Sequence, residues 1–78
     1  MTVVNPYNIP IVTWCDFTSQ LLQRHVPPMK IEHEDQWREW GAHAQKVLLS
    51  AGKIVPNPFL FQSFQDWAAR FNQVIQTL

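Results

Sequence analysis

The chain has 78 residues, six Lys plus Arg against six Asp plus Glu, a single Cys and two Gly. That length holds one domain at most, one cysteine rules out a disulfide within the chain, and two glycines leave no phosphate-cradling loop. With its charges balanced, the sequence lacks the basic face on which a non-specific nucleic-acid binder neutralises phosphates.

Four Trp, five Phe and one Tyr make the chain rich in aromatic residues. Aromatics bury large areas and favour both small cores and interfaces, and composition does not divide them between the two. A chain this short buries only about 60% of its unfolded surface, and proteins of this size lean on a disulfide, a metal or a partner. The expectation for Cys15 is a small buried hydrophobe in a reducing compartment. No apolar run approaches the roughly 18 residues of a membrane span. The N-terminus lacks a basic region followed by an apolar core, so no signal peptide is expected and synthesis in a cytosol fits.

Thr2 to Val12 reads as an extended arm. Pro6 and Pro10 interrupt any helix there and bias Asn5 and Ile9 toward extended backbone. Val3, Val4, Tyr7, Ile9, Ile11 and Val12 make the arm apolar. Two dockings stay open for it: over the helices of its own domain, or on a neighbouring chain. Residues 1–12 are therefore expected as an arm and residues 13–78 as a small helical domain.

Thr13 to about Arg24 is the first expected helix, capped by Thr13 with Asp16 in the third position. Trp14, Phe17, Leu21 and Leu22 form its apolar side, and Pro27 and Pro28 stop it. His25 falls in the last turn, where positive charge suits the helix dipole. The second helix opens at Glu34 or Asp35, with an acidic cluster suited to a helix N-terminus, and runs to Ser50 or Ala51. Gly52 is its natural stop. Glu34 with Arg38, and Glu39 with His43, are spaced as i,i+4 pairs. Lys53 to Gln62 is a loop longer than most helix–helix connections. It holds Pro56 and Pro58, and Ile54, Val55, Phe59, Leu60 and Phe61 make it apolar enough to fold over a core or touch something else.

Ser63 to Leu78 is the clearest helix, with Ser63 and Asp66 spaced as a capping box. Phe64, Trp67, Ala68, Phe71, Val74, Ile75 and Leu78 form one stripe at three- and four-residue steps. The second helix repeats that geometry with Trp37, Trp40, Gly41, Ala44, Val47, Leu48 and Ala51. Small residues opposite large ones are how layers interdigitate. The pattern predicts an antiparallel hairpin in which Ala44 faces Phe71, Leu48 lies near Trp67 and Trp40 near Val74. Gly41 reads as a close-packing position beneath Trp37 or Trp40. The expected fold class is all-α: a small three-helix domain with this hairpin and a proline-containing arm. Thr13-Trp14-Cys15-Asp16-Phe17 and Ser63-Phe64-Gln65-Asp66-Trp67 echo one another, as do Asn5-Pro6-Tyr7 and Asn57-Pro58-Phe59. The simplest account is one way of starting a helix, used twice.

Catalytic and metal motifs are missing from the pattern. His33-Glu34 has no second histidine at the zinc-peptidase spacing, and no Cys-x-x-Cys or paired Cys/His ligand set occurs. Cys15 has no histidine near it in sequence, and so short a chain leaves little room for a substrate cleft of roughly 300 Å³ beside a core. A helix-turn-helix reader needs a short turn and a cationic recognition helix, whereas the third helix carries one basic residue, Arg70. The expectations are no catalytic residue, no cofactor, no metal, no small-molecule substrate, no nucleic acid and no membrane.

The Asn-Pro-Tyr arm, Trp37-Arg38-Glu39-Trp40-Gly41, the apolar loop at Pro56 to Pro58, and Phe64-Gln65-Asp66-Trp67-Ala68-Ala69-Arg70-Phe71-Asn72 together resemble the small structural proteins of tailed bacteriophage virions. The likeness is closest to short aromatic-rich helical adaptors. It implies a non-catalytic role in assembly, with other structural proteins and further copies of the chain as partners, and a place in the virion after synthesis in the bacterial host cytoplasm. Tyr7, Ile9, Ile11, Phe59 and Phe61 are the expected partner-binding residues, with exposed Trp of the helical pair as further anchors. The alternative is a small regulatory binder of a host enzyme, inhibitor- or antitoxin-like, whose acidic second-helix start sets partner choice.

Overall fold

Three α-helices carry the chain in a computed structural model that describes residues 3–78: α1 (Ile11–Leu21), α2 (Trp37–Ser50) and α3 (Phe64–Ile75). Short 3-10 turns, Glu34–Gln36 and Pro58–Leu60, precede α2 and α3, and there is no strand among the described residues. The all-α class and the three-helix content are as expected. Met1 and Thr2, the first residues of the expected arm, lie outside the described residues.

α1 starts earlier than expected. Pro10 is its N-cap, with φ −61° and ψ 151°, and its carbonyl accepts the Trp14 N–H at 3.0 Å. Thr13 therefore sits inside the helix rather than capping it, and Ile11 and Val12 belong to the first turn rather than the arm. A proline serves here because its fixed φ suits the cap and the position needs no N–H. The helix also ends early. The Leu22 carbonyl accepts the N–H groups of His25 and Val26, which places His25 in a turn beyond the helix. The buried face is Trp14, Cys15 and Thr18, continued by Leu22, while Phe17 is half-exposed. The expected Trp14–Phe17–Leu21 side is thus rotated toward smaller residues, which let α1 approach α2 closely. The Trp40 Nε1–H donates to Ser19 Oγ at 2.8 Å across that approach.

The start of α2 is tied by Gln36, whose Oε1 accepts the backbone N–H groups of both Glu32 and His33. Neither expected i,i+4 pair is the partnership that forms. Arg38 donates to the Phe61 carbonyl at 2.8 Å and lies over the Trp37 ring, and His43 Nε2 donates to the Pro27 carbonyl at 2.9 Å. Of the expected stripe, Trp37, Trp40, Gly41, Ala44 and Leu48 are buried, Val47 is partly buried, and Ala51, just past the helix end, is exposed. At the far end Gly52 adopts φ 80°. Its N–H reaches the Leu49 carbonyl at 3.0 Å and the Lys53 N–H reaches that of Leu48 at 2.9 Å. This is the paired bonding of a left-handed glycine stop.

The proline-rich connection then returns along α2. Pro58 is buried against Gly41, the Phe61 carbonyl is held by Arg38, and the Pro56 carbonyl accepts the Trp67 Nε1–H at 2.7 Å. α3 follows, capped by Ser63, whose Oγ accepts the Asp66 N–H. Phe64, Trp67, Ala68, Phe71 and Ile75 are buried.

These contacts correct the helical pairing. Trp37, at the start of α2, meets Phe64 and Trp67, and Trp40 meets Trp67 and Phe71. At the other end the Lys53 ammonium donates to the Thr77 carbonyl at 3.1 Å. Start lies by start and end by end, so α2 and α3 run in the same sense and the expected antiparallel register does not form. The physical reason is the connection. A 14-residue helix is about 21 Å long, and a largely extended loop stiffened by two prolines spans that distance in one return pass. Gly41 is a close-packing position, but the ring over it belongs to Trp67.

Trp14 is the hub of the core. Its ring packs edge-on against Trp40, Phe64, Trp67 and Phe71, with centroids 5.2–6.0 Å apart. All four tryptophans are buried, so none is an exposed anchor. The chain before α1 lies on its own domain: Val3, Val4 and Ile9 pack against the core. The Val4 carbonyl accepts both the Trp14 Nε1–H (2.9 Å) and the Asn72 Nδ2–H (3.1 Å). No helix among the described residues is long and apolar enough to cross a membrane.

Candidate functional site

The two Asn-Pro-aromatic segments that echo one another in sequence fold alike. Asn5 Oδ1 accepts the Tyr7 N–H at 2.9 Å, and Asn57 Oδ1 accepts the Phe59 N–H at 3.0 Å. Each is a side-chain-closed turn of the kind Asn favours. In each the proline is buried and the aromatic points outward, with Tyr7 and Phe59 both 62% exposed. The proline fixes φ and the Asn bond closes the turn, so each ring is held out on a stiff local frame.

The five expected partner-binding residues divide. Tyr7 and Phe59 are exposed, whereas Ile9, Ile11 and Phe61 are partly buried and pack on the core. Tyr7 and Phe61 share one open groove, of about 530 Å³, with Asp66, Ala69, Arg70 and Gln73 of α3. A second open groove, of about 540 Å³, continues from the same Arg70 and Gln73 to Lys53, Ile54, Pro56 and Val74. The two grooves adjoin at Arg70 and Gln73 along the outer side of α3, and the pair is termed the α3 trough. Ile54 and Leu60, named in the sequence as part of the apolar loop but not among the partner-binding residues, are 84% and 80% exposed. Their signal was position: both sit in the proline-rich loop with no helical periodicity to assign them a buried face.

A third cleft, of about 310 Å³, lies between α1 and the connector and is lined by Asp16, Ser19, Gln20, Gln23, Met29 and Lys30 among others. Clefts of this size exceed the room expected of so short a chain. All of them are surface features, formed where the loops and α3 leave shelves around the aromatic core. The cleft beside α1 holds Ser19 with Asp16 and Lys30, but Ser19 Oγ is taken up by the Trp40 Nε1–H at 2.8 Å, and among the described residues no hydrogen bond joins it to Asp16 or Lys30. Cys15 is buried, and burial, reinforced by the negative charge of Asp16, pushes its thiol up to about 12. A thiol in that state is a packing group, since reactivity needs the thiolate. Among the described residues no group of three His, Cys, Asp or Glu side chains comes together as a metal site would require.

No protein-family model matches this chain, and neither the curated proteins nor the solved structures include a match to it.

Proposed function

We propose that the chain is a non-catalytic adaptor that binds neighbouring protein subunits in a larger assembly. The observation that carries this reading is the pair of stiff Asn-Pro turns presenting Tyr7 and Phe59. Backbone fixed before contact has little freedom left to lose on binding, which favours the exposed aromatics it carries as interface anchors. Ile54 and Leu60 extend the same apolar display, and Phe61 lines the wall of the groove beside Tyr7. The assembly we favour is a tailed-bacteriophage virion, supported by the sequence resemblance of the arm, the Trp-Arg-Glu-Trp-Gly segment and α3.

Quantitative mass spectrometry of particles assembled in cells that make the chain tests this. The wild-type chain is expected at a fixed ratio to the other structural subunits. A Tyr7→Ala/Phe59→Ala variant is expected to fold with an unchanged melting temperature and to be depleted from the particles at least tenfold, the effect of losing an anchor worth about 1.4 kcal/mol or more. A chain recovered with one soluble enzyme and missing from particles would overturn the adaptor reading in favour of a regulatory binder.

A further inference from the structure

The α3 trough has a polarity that its apolar rim does not explain. Its Ile54 end is bordered by Arg70 and by Lys53, whose ammonium also donates to the Thr77 carbonyl, and among the described residues no carboxylate lines that end, while Asp66 lines the other. Its walls there are Ile54, Pro56 and Val74. Such a groove fits a partner that brings carboxylates beside apolar side chains.

The opposite pole of the same molecule has that composition. Glu32, Glu34, Asp35 and Glu39 are all exposed around the start of α2. Arg38, on the same helix, is turned away to the Phe61 carbonyl and the Trp37 ring. The connection brings its exposed Phe59 and Leu60 back to this end, since Pro58 rests on Gly41 and Phe61 on Arg38. The acidic pole is therefore also apolar. The two poles cannot meet within one chain. α2 is about 21 Å long, enough to cross a body whose smallest dimension is 20 Å, and the acidic residues and Lys53 lie at its opposite ends.

Building on the adaptor reading, we propose that the occupant of the α3 trough is a second copy of this chain, docked head to tail. The Glu34–Asp35 pole with Phe59 and Leu60 of one copy enters the Lys53–Arg70 groove of the next. Because the acidic residues and Lys53 lie at opposite ends of α2, every copy is polar along one direction, and stacking places each negative pole on a positive one. Such a contact joins two different surfaces, so it propagates into a ring when the rotation closes and into a filament when it does not.

Sedimentation of the full chain at low and high salt tests this. Self-association is expected at about 0.05 M salt and should weaken at least tenfold by roughly 0.5 M, where the screening length falls well below 10 Å. Arg70→Glu/Lys53→Glu and Glu34→Lys/Asp35→Lys variants, each checked for a native melting transition, should each remain monomeric. An equimolar mixture should associate again, because each reversed pole finds a reversed partner. A wild-type chain that is monomeric at every salt, or one whose association the variants leave unchanged, overturns the head-to-tail contact. So does a mixture that stays monomeric. Each of those failures leaves the adaptor reading standing, because incorporation into particles is read separately through Tyr7 and Phe59.

Discussion

Gly41 lies mid-helix, where glycine costs up to about 1 kcal/mol relative to alanine. The structure shows what that cost secures: a Cβ there would sit 2.7 Å from the Trp67 ring and 3.0 Å from Pro58. The ring has little freedom to yield, because it is fully buried and its Nε1–H is bound to the Pro56 carbonyl. Gly41→Ala is therefore expected to lower stability by about 1–2 kcal/mol after its gain in helix propensity. The measurement is a urea midpoint that falls at unchanged slope; an unchanged midpoint would show that the Trp67 ring moves. Cys15 gives a second prediction at this scale. Its folded thiol titrates at about 12 against an ordinary value of 9.0, so between those values the unfolded chain has lost a proton that the folded chain keeps. Stability from this group is complete below pH 9 and falls as pH rises toward 12. Melting of the wild type and of Cys15→Ala across that range should show a steeper alkaline decline in the wild type. The native thiol should also resist alkylation until the chain unfolds.

Among the elements, the arm is the one whose placement the sequence left open, and one carbonyl holds it. Val4 accepts from Trp14 of α1 and Asn72 of α3, so the arm is fixed only when both helices are in place. Asn72→Ala removes one of these bonds and with it a buried Oδ1 that has no hydrogen-bond partner. Loss of the bond costs about 1 kcal/mol and removal of the orphaned acceptor offsets part of that. Global stability should thus change by less than about 1 kcal/mol, while backbone amide exchange in residues 3–9 accelerates and that of α2 does not. Equal acceleration in both would mean that the arm and the core open together. Gly52, Ser63 and the starting region of α2 were legible in advance because a left-handed stop, a hydroxyl cap and an acidic first turn are chosen by neighbouring backbone. Thr13 misled because local chemistry favours a hydroxyl cap, and Pro10 read only as a helix breaker. In the structure Pro10 is the cap and the helix begins at Ile11.

For the whole molecule, the decisive feature is the direction of α3. Two stripes of matching geometry are equally compatible with same-sense and opposite-sense packing, since an apolar stripe has no arrow along the helix axis. Nuclear Overhauser contacts distinguish the two arrangements. Cross-peaks are expected between the Trp37 and Phe64 rings and between the Trp40 and Phe71 rings, whose centroids are 5.5 and 5.7 Å apart. The antiparallel register instead requires contacts from Trp40 to Val74 and from Leu48 to Trp67. The separation of the acidic pole from Lys53 is set by α2 alone, whose two ends carry them across the molecule, so the head-to-tail contact depends on the course of α2.

The sequence by itself determined the class, the three helices and most of the buried stripes of α2 and α3, and it carried the Asn-Pro-aromatic echo whose two Asn bonds close local turns. Each of these depends on residues within a few positions of one another: helical periodicity, a cap, a glycine with positive φ, or an Asn bond to the next turn. Only the tertiary structure decided how those pieces meet. It set the same-sense course of α3, placed Trp67 over Gly41, turned Ile9, Ile11 and Phe61 toward the core, and shaped the trough along α3. Those outcomes depend on how far a proline-stiffened loop reaches and on which large rings fill one core together, and both are properties of the assembled chain.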